Sequence, residues 1–173
     1  NINDDVLGIS TILGETGSGP SAIAVDADGN VYTANRNSNN VSKITPNGAS
    51  SILGTTGEGP RAIALDAVGN VYTANALASN MSKITPDGFS TTSETSQTIG
   101  GRDPRGIALD AAGNVYMPNF LSTSFTKITP ERTVTLWTEI PSNQQAKPVG
   151  IEIDKTGNIY TANISVGESF DPD

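Results

Sequence analysis

Along residues 22–26 small and large apolar side chains alternate, Ile23 and Val25 standing between Ala22 and Ala24. A period of two rich in β-branched residues predicts a strand. Asp26-Ala27-Asp28-Gly29-Asn30 predicts a tight turn, with Gly29 at a positive φ and the Asp and Asn side chains bonding local backbone. Val31 to Asn35 predicts a second strand and, after a polar loop over 36–40, Val41 to Thr45 a third. Pro46-Asn47-Gly48 predicts a hairpin turn into a fourth strand, Ser50 to Leu53. No segment shows the 3.6-residue spacing of a helix.

The phrase then returns. PSAIAVDADGNVYTAN begins at Pro20, PRAIALDAVGNVYTAN at Pro60, PRGIALDAAGNVYMPN at Pro104 and PVGIEIDKTGNIYTAN at Pro148. The prolines lie 40, 44 and 44 residues apart, and the stretch after Pro148 joined to that before Pro20 makes a further 45. Four strands in a period of about 40 residues predict a β-propeller, one blade per repeat. The expected fold is all-β, a single domain over 1–173 with four four-stranded blades at about 20–54, 60–92, 104–137 and 148–173 plus 6–14. Ser10-Thr11-Ile12-Leu13-Gly14 mirrors Ser51-Ile52-Leu53-Gly54, so the N-terminal strand can complete the last blade, in its own chain or in a neighbouring subunit. Ile12 and Phe170 would meet at that seam, and exchange between subunits would build a ring or filament.

The shared elements Pro-x-x-Ile-Ala-Val/Leu-Asp, x-x-Gly-Asn-Val-Tyr and Lys-Ile-x-Pro-x-Gly resemble the NHL-repeat family over essentially the whole chain. Members of that family commonly close with more blades, and often carry Asp where this chain has Asn35, Asn75, Asn119 and Asn163. The resemblance implies either a protein or RNA interaction module or a lyase or lactonase related in pattern to virginiamycin B lyase-like propellers. The chemistry of the latter relies on histidine or on a divalent metal in the channel. Fold does not choose between these.

Charge and composition narrow the choice. Ten basic residues face 18 acidic ones, a net charge of −8, so a nucleic-acid partner is not expected. The visible basic feature is a scattered trio, Lys43, Lys83 and Lys127, one per repeat. No apolar run reaches the roughly 18 residues of a membrane helix, so membrane insertion is not expected either. Abundant Ser, Thr, Asn and Gly, with a chain starting at Asn1, lead to the expectation of an extracellular or cell-surface protein. There is no His and no Cys, which removes the commonest base near neutral pH, thiol nucleophiles and Cys/His zinc sites.

Several residues remain as candidates. Asp26, Asp66, Asp110 and Asp154 recur at one position, as turn-capping carboxylates must and a catalytic acid need not. Asn35, Asn75, Asn119 and Asn163 end the second strands, where they either bond local backbone or form a ring of amides for a polar ligand or a hard cation such as Ca²⁺ in the channel. Glu152 replaces an alanine of the innermost strand and is either a channel carboxylate or a partner of Lys155. Trp137 and Leu136 on an outer strand are candidates for a protein interface. Asn40, Asn80 and Asn163 begin N-x-Ser patterns that fit N-glycosylation. Near-perfect repetition without catalytic side chains leads to the expectation of a non-enzymatic exported module, structural or protein-binding, with self-association and no cofactor. The alternative is a lyase- or lactonase-type enzyme holding a divalent metal in its channel.

Overall fold

In the computed structural model, residues 12–93, 101–122, 124–137 and 146–165 are described. Strands β1 (Pro20–Val25), β2 (Val31–Asn35), β3 (Asn40–Ile44) and β4 (Ser50–Thr55) form an antiparallel sheet in chain order. The pattern repeats in β5 (Pro60–Leu65), β6 (Val71–Asn75), β7 (Asn80–Ile84) and β8 (Ser90–Thr92). It repeats again in β9 (Ala108–Leu109), β10 (Val115–Asn119), β11 (Ser124–Ile128) and β12 (Val134–Trp137). In a fourth sheet β13 (Ala146–Ile153) pairs with β14 (Ile159–Ser165), and the described residues contain no helix. Three of the sheets are four-stranded as expected, and the fourth is described through its two inner strands. Phe170 and residues 6–11 of the expected seam lie outside the described residues.

Residues 12–17 flank blade one as residues 52–57 flank blade two. The Glu15 and Gly17 N–H groups donate to Ser50 and Ser42 Oγ at 3.0 and 2.9 Å. Thr55 and Gly57 donate to Ser90 and Ser82 Oγ at 3.1 and 2.9 Å. The N-terminal segment therefore stands where the outer strand of a preceding blade would stand.

Each inner hairpin is tied by one carboxylate. Asp66 Oδ1 accepts from the N–H groups of Val68 and Asn70, and Oδ2 accepts from Asn70 Nδ2 and Tyr72 Oη. Asp26, Asp110 and Asp154 do the same in their blades, which is the turn-capping role the repetition predicts. The scattered lysines are also structural. Lys43, Lys83 and Lys127 lie 5.5, 5.4 and 5.4 Å from the ring centroids of Tyr32, Tyr72 and Tyr116.

The small–large alternation of the inner strand serves two different interfaces. Ile63 and Leu65 pack with Tyr32, Val41, Val71 and Ile84 between blades one and two. Ala62 and Ala64, on the other face, leave room for Tyr72, Met81, Ile107 and Val115 between blades two and three. Burial of each large side chain there contributes about 1.5–3 kcal/mol. At the two ends of the described array the corresponding faces are uncovered. Ile23 and Val25 are 67% and 60% exposed, and Tyr160 is 58% exposed where Tyr32, Tyr72 and Tyr116 are buried. Strand β9 is short for a local reason: Pro118 replaces the alanine of the other second strands and offers no N–H to the ladder.

Candidate functional site

One irregularity recurs where each blade begins. In β1, β5 and β13 the pairing register shifts directly after the proline, leaving Ser21, Arg61 and Val149 as extra, unpaired residues. Arg105 follows Pro104 in the same way, with Pro104 bridging to Asn119. Such a bulge re-aims a side chain out of the sheet. Here it sends four side chains from four blades to one place. Ser21, Arg61, Arg105 and Val149 line a cavity of about 300 Å³ together with Arg36. Ser21 also donates from Oγ to the Pro60 carbonyl at 2.7 Å, joining blades one and two at this point.

A wider cavity of about 430 Å³ shares Arg36 and Arg61 and adds Ala76, Leu77, Ser79, Arg102, Asp103 and Leu121. Four of the chain's five arginines thus surround one funnel where the blades converge. Arg105 is fixed within it. Its Nε and Nη2 donate to Asp103 Oδ2 at 3.0 and 2.7 Å, and its guanidinium lies 3.3 Å from the Phe120 ring centroid. Lys147 Nζ is 4.9 Å from the same ring. By contrast, Nε of Arg36 and Nε of Arg61 are buried with no hydrogen-bond partner among the described residues. Burial lowers the pKa of the Arg61 guanidinium, and the neighbouring charges of Arg105 and Arg36 add to that. Among the described residues the one ion pair is Arg105–Asp103.

Another cavity of about 430 Å³ opens between blades two and three, lined by Asp66, Tyr72, Lys83 and Arg132 among others. Its central charges are already engaged, Asp66 in the turn and Lys83 over Tyr72. Its charged side chains already have partners, whereas two guanidinium Nε groups beside the funnel have none among the described residues.

The sequence candidates fall elsewhere. Asn35, Asn75 and Asn119 are fully buried inside separate blades and do not form a ring on the axis. The Asn35 amide lies 2.8–3.0 Å from Thr33, Asn40 and Ser42, and Asn75 repeats this with Thr73, Asn80 and Ser82. In blade three Met117 stands in place of that threonine, which leaves Asn119 Oδ1 without a partner. Asn163 is exposed. Glu152 is also exposed and pairs across the strand with Tyr160, on the face that meets a following blade in the other repeats. These residues do not fit a calcium site in the channel. Among the described residues, no three His, Cys, Asp or Glu side chains gather as a metal cluster.

The remaining candidates are equally scattered. Leu136 and Ile12 are 40% and 93% exposed, and Trp137 pairs through its backbone with Phe125. Asn80 is buried with its Oδ1 against Asn75, so a glycan there would displace an interior contact, and Asn40 is half-buried in the equivalent contact with Asn35. The arginines of the funnel were not among the candidates. Their signal is the variation of one position, Ser21, Arg61, Arg105 and Val149, inside an otherwise constant phrase.

The arrangement of blades can now be set beside known proteins. A catalytically inactive virginiamycin B lyase from Staphylococcus aureus with quinupristin superposes with a TM-score of 0.71 at 19% identity, over 87% of this chain and 53% of that one. The fold is a β-propeller. Hydrazine synthase from Kuenenia stuttgartiensis matches with a TM-score of 0.70 at 17% identity, over 94% of this chain and 46% of that one. A protein assigned as a gluconolactonase matches at 0.62 and 12% identity, over 82% and 56%. The propeller spans about half the length of these solved structures. A family model described as strictosidine synthase-like, N-terminal, matches residues 1–37, and no curated protein matches the sequence. The matching family model is not the NHL repeat, which stays a resemblance of motif.

These findings correct the expectation of a non-enzymatic module. That expectation rested on the lack of His and Cys, yet the similar propellers are enzymes of several chemistries and the matching family model is named for an enzyme.

Proposed function

We propose that this propeller belongs to an enzyme of the lyase or lactonase type and handles its substrate at the arginine funnel. The observation that carries the reading is the convergence of Arg36, Arg61 and Arg105 on one cavity, with two buried Nε donors unused. Opening a cyclic ester, by hydrolysis or by elimination, develops negative charge on the carbonyl oxygen or on the departing carboxylate. Guanidinium groups fixed beforehand beside the reacting atoms stabilise such charge without the reorganisation that solvent requires. Arg105, held by Asp103 and Phe120, is placed to orient the substrate, while Arg36 and Arg61 supply donors to the developing anion. No step is assigned to a metal, because the residues at hand do not fit one.

Ring opening of a panel of lactones and cyclic depsipeptides, followed by mass spectrometry, tests this. The protein opens at least one class, and Arg61→Gln lowers kcat/KM by about 10²-fold, as loss of an oxyanion donor does elsewhere. Folded protein that opens none of them, or an Arg61→Gln variant with undiminished turnover, refutes the proposal.

A further inference from the structure

We infer that the funnel is a binding site for a small organic anion carrying two or more oxyanion groups and an apolar body. This deepens the reading above and rests on the same funnel, but it concerns equilibrium binding and does not require turnover.

The first argument is charge. A chain of net charge −8 places four of its five arginines around two cavities that share Arg36 and Arg61. The acid lining them is Asp103, and it is committed to Arg105. Cations gathered with a single, already paired acid among the described lining residues disfavour one another's charge and favour an anionic ligand.

The second argument is hydrogen bonding. Buried donors without acceptors are costly, and Nε of Arg36 and of Arg61 are two of them, on two different blades. The two guanidinium groups that line the shared cavities match two carboxylate or phosphate groups of one ligand.

The third argument is that the fold does not need these residues. At the bulge, Ser21 and Val149 take the place of Arg61 and Arg105. Asp103 occupies a position with φ of 54° where blades one and two use Gly19 and Gly59, a conformation that disfavours most side chains. It is retained there with its carboxylate on Arg105. Leu77 and Leu121, 56% and 59% exposed, line the wider cavity beside the arginines and give an apolar body somewhere to lie. Volumes of about 430 and 300 Å³ suit a small molecule.

Titration calorimetry with succinate, phenylsuccinate, phenyl phosphate and neutral benzyl alcohol tests the inference on the chain as it stands. Phenylsuccinate binds several-fold tighter than succinate, benzyl alcohol does not bind, and affinity falls with added salt. Comparing phenylsuccinate with phenyl phosphate, which carries a single oxyanion group, shows whether two groups are required. Arg61→Gln and Arg36→Gln each weaken phenylsuccinate at least 10-fold, while Lys155→Gln, away from the funnel, leaves it unchanged. Without ligand, Arg61→Gln melts at the same temperature or higher, because a like charge has been removed, so lost binding is not lost folding. Absence of binding by every anion, equal binding of benzyl alcohol, or undiminished binding by Arg61→Gln overturns the inference. Anion binding without lactone opening leaves it standing and removes the enzymatic reading. Lactone opening without anion binding does the reverse.

Discussion

Replacing Asp66 by alanine removes the acceptor of four hydrogen bonds at once. The donors are Val68 N at 3.1 Å, Asn70 N at 2.8 Å, Asn70 Nδ2 at 2.7 Å and Tyr72 Oη at 3.0 Å. Val68 lies at the turn surface, 75% exposed, and its N–H turns to water at little cost. Asn70 and Tyr72 are 8% and 6% exposed, so their three donors are stranded. A stranded buried donor costs about 1–3 kcal/mol. Taking the low end, because water enters the space the carboxylate leaves, the loss is about 3 kcal/mol. With a urea slope of about 2 kcal/mol per molar, the midpoint falls by about 1.5 M. Asp66→Asn keeps an acceptor and loses only part of this. The pH dependence follows with its sign. Burial by itself would raise the Asp66 pKa, but the hydrogen bonds from Asn70, Tyr72 and Val68 outweigh it and hold the carboxyl below its ordinary range. Its stabilisation is therefore present above about pH 4 and is lost as pH falls through the folded-state value. The gap between parent and Asp66→Ala is full at neutral pH and narrows in acid. A midpoint shift under about 0.3 M, or a gap that widens below pH 4, refutes the reasoning.

Tyr32 and Tyr72 are pushed up to about 12 by burial, with the hydrogen bond to Asp26 or Asp66 adding to it. They resist ionisation in a phenolate-absorbance titration until about that pH, and the stability they contribute is lost between about pH 10 and 12. Gly88 and Gly157 share φ values of +89° and +88°, but a Cβ on Gly88 would sit 2.6 Å from the Leu53 carbonyl oxygen while one on Gly157 meets nothing. Gly157→Ala costs about 1 kcal/mol and Gly88→Ala at least twice that in thermal or urea unfolding, and equal costs would show that the contact between blades yields. Leu65→Ser, in the seam between blades one and two, costs about 2 kcal/mol, whereas Val25→Ser on the uncovered face costs under about 0.5 kcal/mol. Equal losses would show that another blade covers Val25 in solution.

Strands and turns were legible because each is encoded within a few residues. Ile63 and Leu65 alternate with Ala62 and Ala64, and the glycine of Asp66-Ala67-Val68-Gly69-Asn70 has its expected positive φ. The site was not, because it depends on a register shift that only pairing reveals. The residue after each proline reads as one more strand position, yet the bulge at Arg61 takes it out of the ladder and toward Arg36. Of the two readings of the asparagines, the local one matches their contacts in blades one and two. Their regular recurrence suggests a shared ring, but the hydroxyls that satisfy Asn75, on Thr73 and Ser82, recur with the same period inside the same blade. A repeat aligns equivalent residues in sequence whether or not they meet in space. Glu152 illustrates this too: it stands opposite Tyr160, and so shares the Tyr face and not the axis.

The bulge also separates two kinds of selection. A residue outside the strand ladder can be exchanged at smaller cost than one inside it, and the present occupants already range from hydroxyl to cation to aliphatic; Ser21, whose Oγ ties blade one to the Pro60 carbonyl, is the most constrained of them. Four such sites, one from each blade, amount to a short combinatorial code facing a common space. Libraries restricted to positions 61, 105 and 149 would explore ligand preference with the Ser21 tie between blades one and two intact, so new specificities on this scaffold lie only a few substitutions apart.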